Sequence, residues 1–410
     1  MKGTVRRVKR SKQTAAAPER ETLLTRPLIS LALIAFATLF GFQLLLSVVP
    51  LYVDNAGGGS WGAGLATTTF MLSTVFTQVQ MPRVLTRFGY QQVLALGLVC
   101  LGLPALFYAA ARTMVPILAV TLVRGVGFGI ATVVFAALIV QLAPSGRRGE
   151  ALGLLGIAIT LPAIFCNALG LWLVERFGYE AAFLLGGIAP LLGLGAILGI
   201  RCPPSPGQQE GARRSTGFFA GLRRGPLLRI FLIFAATTMA AGVIFTFLPL
   251  APVPRTGAFS AAGALLVVGI ASTASRWWAG RFGDRREPRL LLAPGLLAAA
   301  LGVAVLPLGS AFLIAGASLF GIGFGLLQNS TLVLIMGRVS NSEYGLGSTL
   351  WNVAFDAGTG LGAFLFGFVI GAVGFFWAFY LCAGLVASAL IIVWFDRTAS
   401  VAPRSTKDER

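Results

Sequence analysis

The chain has 410 residues, of which 56% are apolar and only 11% charged, with a mean hydropathy of +0.84. Soluble domains carry about a quarter of their residues as charges, so this composition excludes the soluble globular class and places the chain in a bilayer. The formal net charge is +18 with no histidine, and where that charge falls decides what it is for.

Residues 1–27 form a basic tail. Its Arg6-Arg7 pair precedes the first apolar run by some twenty residues, and that run is too long for a signal peptide, so the tail reads as a segment lying near anionic lipid. A helix needs roughly 20 apolar residues to cross a hydrocarbon core of about 30 Å. Twelve segments reach that length: 28–51, 62–81, 93–110, 115–142, 151–174, 181–200, 230–250, 262–279, 290–308, 311–336, 346–370 and 375–394. Each is expected to be helical, because backbone polar groups cannot stay unpaired in lipid. The 52 glycines suit close helix packing. Between spans six and seven, residues 201–229 carry Pro203-Pro204-Ser205-Pro206-Gly207 and read as a linker. The expected architecture is all-α with twelve transmembrane helices: tail 1–27, a six-helix bundle 28–200, linker 201–229, a second six-helix bundle 230–395 and tail 396–410.

Of the 32 Lys and Arg, 27 lie on the side that holds the N-terminus and 3 on the other, namely Arg112, Arg176 and Arg255. The positive-inside rule then puts both termini in the cytoplasm. Charge is sorted by side of the membrane, which argues against nucleic acid as a partner. Cys100, Cys166 and Cys382 fall within spans and Cys202 in the linker, without disulfide or zinc spacing.

The two halves echo each other. Val49-Pro50-Leu51 returns as Leu248-Pro249-Leu250, and Gly125-Val126-Gly127-Phe128-Gly129 as Gly321-Ile322-Gly323-Phe324-Gly325, with an offset that drifts from about 199 to 192 residues. A common order and offset mark a duplicated six-helix unit.

Twelve spans, cytoplasmic termini and this repeat resemble the major facilitator superfamily. After span eight, Gly280-Arg281-Phe282-Gly283-Asp284-Arg285 is similar to its signature loop, in which a glycine allows close helix contact while the acid and arginines latch a cytoplasmic gate. The resemblance assigns Gly280, Arg281, Asp284 and Arg285 to that gate, with Arg87 from the loop after span two. That second loop keeps Arg87 and Gly89 but has Pro82 in place of the signature glycine and Thr86 in place of the acid. In span five, Cys166-Asn167 stands where many exporters carry Gly-Pro, so the antiporter motif says little about direction. Residues 144–153 and 355–358 are similar to bacterial efflux-type permeases, including sugar and metallophore exporters. The resemblance implies a multi-pass transporter of the cytoplasmic membrane, working as a monomer by alternating access without a cofactor.

Asp356 is the only one of 14 acidic residues inside an apolar span. A lone intramembrane carboxylate is costly unless protonated, paired or wet, so its default reading is functional. It lies about ten residues, or roughly 15 Å, into span eleven, and Arg124 lies nine residues into span four, so both sit near the midplane. Their counterparts in the other half are about Ile164 and Phe320, which makes both charges additions to the shared scaffold. Opposed effects of desolvation and a nearby arginine can poise such a carboxylate between protonation states. Asp356 and Arg124 are therefore the expected proton-coupling residues. A static buried pair is the alternative for Asp356, and bonding to backbone carbonyls the alternative for Arg124. Gln43, Ser47, Gln78, Gln328, Asn329 and Asn352 are the expected uncharged lining of a substrate cavity, while helix packing offers a purely structural account of part of this set. Arg276, which aligns with Gln78, lies nearer the gate.

No histidine, no paired intramembrane carboxylates and no Ser or Cys with a base partner are present, which argues against an embedded enzyme. The expected function is proton-coupled efflux of a small organic solute. A proton-coupled importer, or a non-transporting receptor or scaffold on a transporter fold, stays open. A channel suits a duplicated unit with a midplane site less well. One acid, one arginine and several amides are compatible with a sugar, an amphipathic drug, an amino-acid derivative or a metal chelate.

Overall fold

A computed structural model describes residues 25–142, 148–200, 218–252, 260–340 and 343–398. Their regular structure is entirely helical: α1 Arg26–Leu46, α2 Val48–Val53, α3 Gly59–Phe88, α4 Tyr90–Gly102, α5 Met114–Leu142, α6 Arg148–Phe177, α7 Tyr179–Ile197, α8 Phe218–Leu222, α9 Gly225–Phe247, α10 Ala261–Gly283, α11 Leu292–Val305, α12 Ser310–Gly337 and α13 Tyr344–Thr398, with short 3-10 and π turns between some of them.

Nine stretches among the described residues are long and apolar enough to cross a membrane, against the twelve expected. Two of them, Arg26–Met81 with 56 residues and Tyr344–Asp396 with 53, are more than twice the roughly 20 residues a crossing needs. Each contains a glycine in the left-handed region, Gly57 at φ 88° and Gly374 at φ 80°. An L side chain there costs about 1–2 kcal/mol, so glycine marks the corner. The expected span 262–279 lies within α10 but is not one of the nine, because Arg276 and its Ser, Thr and Trp neighbours dilute its hydropathy.

Two boundaries differ from the sequence reading. Within the expected linker 201–229, α8 is helical and α9 starts at Gly225, since Pro226 near the first helical position fits a helix start. Residues 201–217 lie outside the described residues. Asp396, assigned to the C-terminal tail, instead belongs to α13 and is buried.

The internal repeat recurs as matching packing. A Cβ on Gly127 of α5 would fall 2.5 Å from the carbonyl oxygen of Gly97 in α4, and one on Gly323 of α12 would fall 2.4 Å from that of Gly295 in α11. Small residues at these points let backbones touch, which is how helices associate where lipid supplies no hydrophobic drive.

Contact between the halves of the chain runs chiefly along α3 and α13, which are antiparallel. Ser60 Oγ donates to the Gly367 carbonyl at 3.1 Å, and Thr68 Oγ1 donates to the Gly360 carbonyl at 3.0 Å. Between these rungs a Cβ on Gly64 would sit 2.3 Å from the Ala363 oxygen. Thr67 Oγ1 and Thr246 Oγ1 are 2.9 Å apart, tying α3 to α9. One buried apolar cluster, from Leu28 to Ile200, draws on residues of the first half alone.

Candidate functional site

Further along the same helix pair, Asp356 of α13 is 4% exposed, and its Oδ2 accepts a hydrogen bond of 2.8 Å from Nε2 of Gln78 on α3. The Gln78 amide nitrogen also donates to Thr132 Oγ1 of α5 at 3.2 Å. Its other atom, Oε1, is buried and has no hydrogen-bond partner among the described residues. Such an orphan acceptor costs about 1–3 kcal/mol, so it points to something the site is built to take. Glycines bring the helices this close. A Cβ on Gly129 would lie 2.7 Å from the Thr74 oxygen, and one on Gly358 would lie 2.0 Å from Thr238 Oγ1. The two residues that the sequence marks separately, Asp356 and Gln78, are thus joined, and the bond between them crosses from one half of the chain to the other.

Arg124 is not part of this contact. Its Nε donates to the Leu101 carbonyl at 3.2 Å, its Nη1 to the Tyr108 hydroxyl at 3.3 Å and its Nη2 to the Gly41 carbonyl at 3.4 Å. The guanidinium also lies over the rings of Phe70 and Tyr108, at 5.6 and 5.4 Å from their centroids. These carbonyl bonds match the alternative held for Arg124 and place it apart from Asp356, its expected companion in proton coupling. Arginine's planar fork has met three acceptors within the first half, and the cation is stabilised by carbonyl dipoles and ring faces. Beside it Phe42, Thr67, Tyr108 and Thr121 help enclose a cavity of about 20 Å³, room for roughly one water.

The expected cavity lining divides into separate groups. Gln43 Oε1 accepts from Asn167 Nδ2 at 2.9 Å, and Ser47 Oγ donates to Asn167 Oδ1 at 3.3 Å, so α1 and α6 share a polar cluster. Asn167 is not among the expected lining residues, although a single amide inside an apolar span is itself a signal. Gln328 Oε1 accepts from Arg276 Nη1 at 3.2 Å. Arg276 therefore engages a residue of the expected cavity rather than the gate. Asn352 bonds back to Ser348 on its own helix, with Nδ2 2.9 Å from the carbonyl, and does not reach Asp356. Asn329 lies beside Gly280.

At the expected gate, Asp284 and Arg285 are exposed at the end of α10. Arg281 lies over the Trp277 ring at 3.7 Å, and the exposed Arg87 over that of Phe88 at 5.4 Å. A Cβ on Gly280 would meet only Asn329 Nδ2, at 3.6 Å. That is an ordinary contact, which corrects the expectation that this glycine allows close helix approach here. The side chains of Pro82, Thr86 and residues 143–153 lie outside the described residues.

A charge cluster absent from the sequence reading surrounds Asp396, whose side chain is 3% exposed. Arg338 Nη2 approaches its carboxylate to 2.6 Å, Arg289 Nη2 to 3.3 Å and Arg229 Nη1 to 3.7 Å. Nearby, Arg224 holds Glu343 through both guanidinium nitrogens, at 2.6 and 3.0 Å.

A multi-pass helical assembly with a buried polar contact between its halves has the architecture of a membrane transporter. The model of the Major Facilitator Superfamily matches residues 31–354 and 279–410, and the chain belongs to that superfamily. An uncharacterized MFS-type transporter of Methanocaldococcus jannaschii is 21% identical over 347 residues, covering 83% of this chain and 90% of that one. The fold is similar to that of a POT family transporter solved with 5-aminolevulinic acid, with a TM-score of 0.76 at 12% identity over 92% of this chain and 97% of that one. It is also similar to the nucleoside transporter NupG, with a TM-score of 0.70 at 15% identity over 90% and 98% of the two chains. The protein is a multi-pass membrane transporter, and the chemistry for which it is built is movement of a solute rather than catalysis.

Proposed function

We propose that this chain expels a small organic solute across the cytoplasmic membrane by alternating access, with Asp356 as the proton carrier. The observation that carries the reading is the Gln78–Asp356 hydrogen bond. A buried carboxylate placed where the two halves meet changes its surroundings whenever they separate, so its affinity for a proton is tied to the conformational cycle. In this reading the two overlong segments each cross twice and α10 crosses once, which gives twelve spans in two six-helix bundles with both termini cytoplasmic. Arg124 serves as an internal tie of the first bundle. Asp284 and its arginines close the cytoplasmic side in another conformation, and the protein works as a monomer. The outward direction rests on the likeness of residues 144–153 and 355–358 to efflux-type permeases.

The test uses proteoliposomes with a lumenal pH-sensitive dye and an imposed pH gradient, to which small organic solutes are added one at a time. A transported solute should release a proton flux with the wild type and none with Asp356→Asn, which keeps the side chain's shape but cannot lose a proton. Proton flux at wild-type rates through Asp356→Asn would remove Asp356 from the coupling role.

A further inference from the structure

We infer that the Asp356–Gln78 site takes an organic cation bearing an N–H donor, a protonated primary or secondary amine, as its solute. This rests on the transporter reading above and adds the chemical class of the cargo. Two independent observations support it. First, the described residues offer Asp356 no ion pair, and both intramembrane arginines are engaged elsewhere: Arg124 by the Leu101 and Gly41 carbonyls and the Tyr108 hydroxyl, and Arg276 by Gln328 Oε1 at 3.2 Å. Second, Gln78 Oε1 is a buried acceptor with no donor among the described residues.

The geometry lets one nitrogen meet both needs. Gln78 Nε2 is 2.8 Å from Asp356 Oδ2, and the oxygen of the same amide is about 2.2 Å from that nitrogen by bond geometry. Both acceptors therefore lie within reach of a single ammonium whose hydrogen bonds span about 2.8–3.0 Å. The side chains that hydrogen-bond around this point from the packed helices, Gln78 of α3, Thr132 of α5 and Thr238 of α9, are all uncharged. An anionic solute at this pair would face a carboxylate and an unpaired carbonyl oxygen, with Arg124 and Arg276 both bonded to other groups. A neutral alcohol could fill Gln78 Oε1 but would leave the carboxylate without a counter-charge. An ammonium supplies both, and it then shares Asp356 with the proton as an alternative occupant, which is the condition for exchange.

The experiment is thermal unfolding of the purified full-length protein in detergent at neutral pH. The probes are four matched compounds: 4-phenylbutylamine, 4-phenylbutyltrimethylammonium, 4-phenylbutanol and 4-phenylbutyrate. The amine should raise Tm in a concentration-dependent way, since a ligand of the folded state stabilises by mass action, and the alcohol and carboxylate should not. Asp356→Asn should abolish the shift. Gln78→Met should weaken binding about tenfold, the loss of one charge-assisted hydrogen bond. The quaternary analogue, which has charge but no N–H, applies the same test to the wild type should Gln78→Met fail to fold, and it should bind about tenfold more weakly than the amine. A shift from the alcohol or carboxylate equal to the amine's, no shift from any probe, or an amine shift unchanged in Asp356→Asn would overturn the inference. None of those results bears on the proton-flux assay, so a different cargo and a failed coupling role remain distinguishable.

Discussion

Asp356 and Arg124 look alike in the sequence, each a lone charge near the middle of a span, yet their environments diverge. Arg124 has its cation spread over two carbonyls, a hydroxyl and two rings. Arg124→Lys concentrates the charge on one nitrogen that cannot reach all three acceptors, and it should lower stability by about 1–3 kcal/mol, read as a fall in Tm in detergent. Asp356→Asn, by contrast, should fold with little loss and fail in proton coupling. The sequence made Asp356, Gln78, Gln43 and Ser47 visible because polar side chains stand out against an apolar background. Their partners were not visible, since the Gln78–Asp356 bond joins residues 278 apart and hydropathy carries no information about which helix faces which. Asp396 was missed for the opposite reason. At a span end a carboxylate looks solvated, and only the fold brings Arg229, Arg289 and Arg338 around it.

At the scale of helices, the apolar segments and the glycine pattern were legible, while helix ends were not. The turn glycines explain why two expected loops disappear into longer helical segments: Gly57 and Gly59 at one corner and Gly374 at the other redirect the chain at positive φ. Gly374→Ala should cost about 1–2 kcal/mol by this argument, measured as a lowered unfolding temperature. Close approach makes a sharper prediction. On Gly64 a Cβ would strike the Ala363 carbonyl at 2.3 Å, so Gly64→Leu should destabilise the α3–α13 contact by about 1–3 kcal/mol. It should also raise labelling of a cysteine introduced at Ser60 by a thiol reagent. Gly280→Ala has an ordinary 3.6 Å contact and should change stability by less than about 0.5 kcal/mol, which separates a glycine required by packing from one retained for another conformation.

For the whole molecule, the 27-to-3 division of basic residues sets the expected orientation. An impermeant maleimide applied to intact cells should leave Cys202 unlabelled, and labelling there would reverse the topology. The charge cluster at Asp396 acts at the same scale because its arginines come from α9, the turn before α11 and the end of α12. Asp396→Asn leaves three partly exposed guanidiniums around a neutral side chain and should cost about 1–3 kcal/mol, the loss of its charge-assisted hydrogen bonds.

The position of Asp396 has a consequence for synthesis. The chain emerges from its N-terminus, and the cluster of apolar residues from Leu28 to Ile200 can close on itself before the second half exists. The second half has no such early completion: Arg229, Arg289 and Arg338 are inserted well before the carboxylate that gathers them, which arrives only with the last turns of the final helix. A nascent chain stopped at residue 394 would hold every expected membrane crossing and still lack its fastening. The second half is therefore fastened late, by one aspartate in the last turns of α13 that neutralises three arginines already in place.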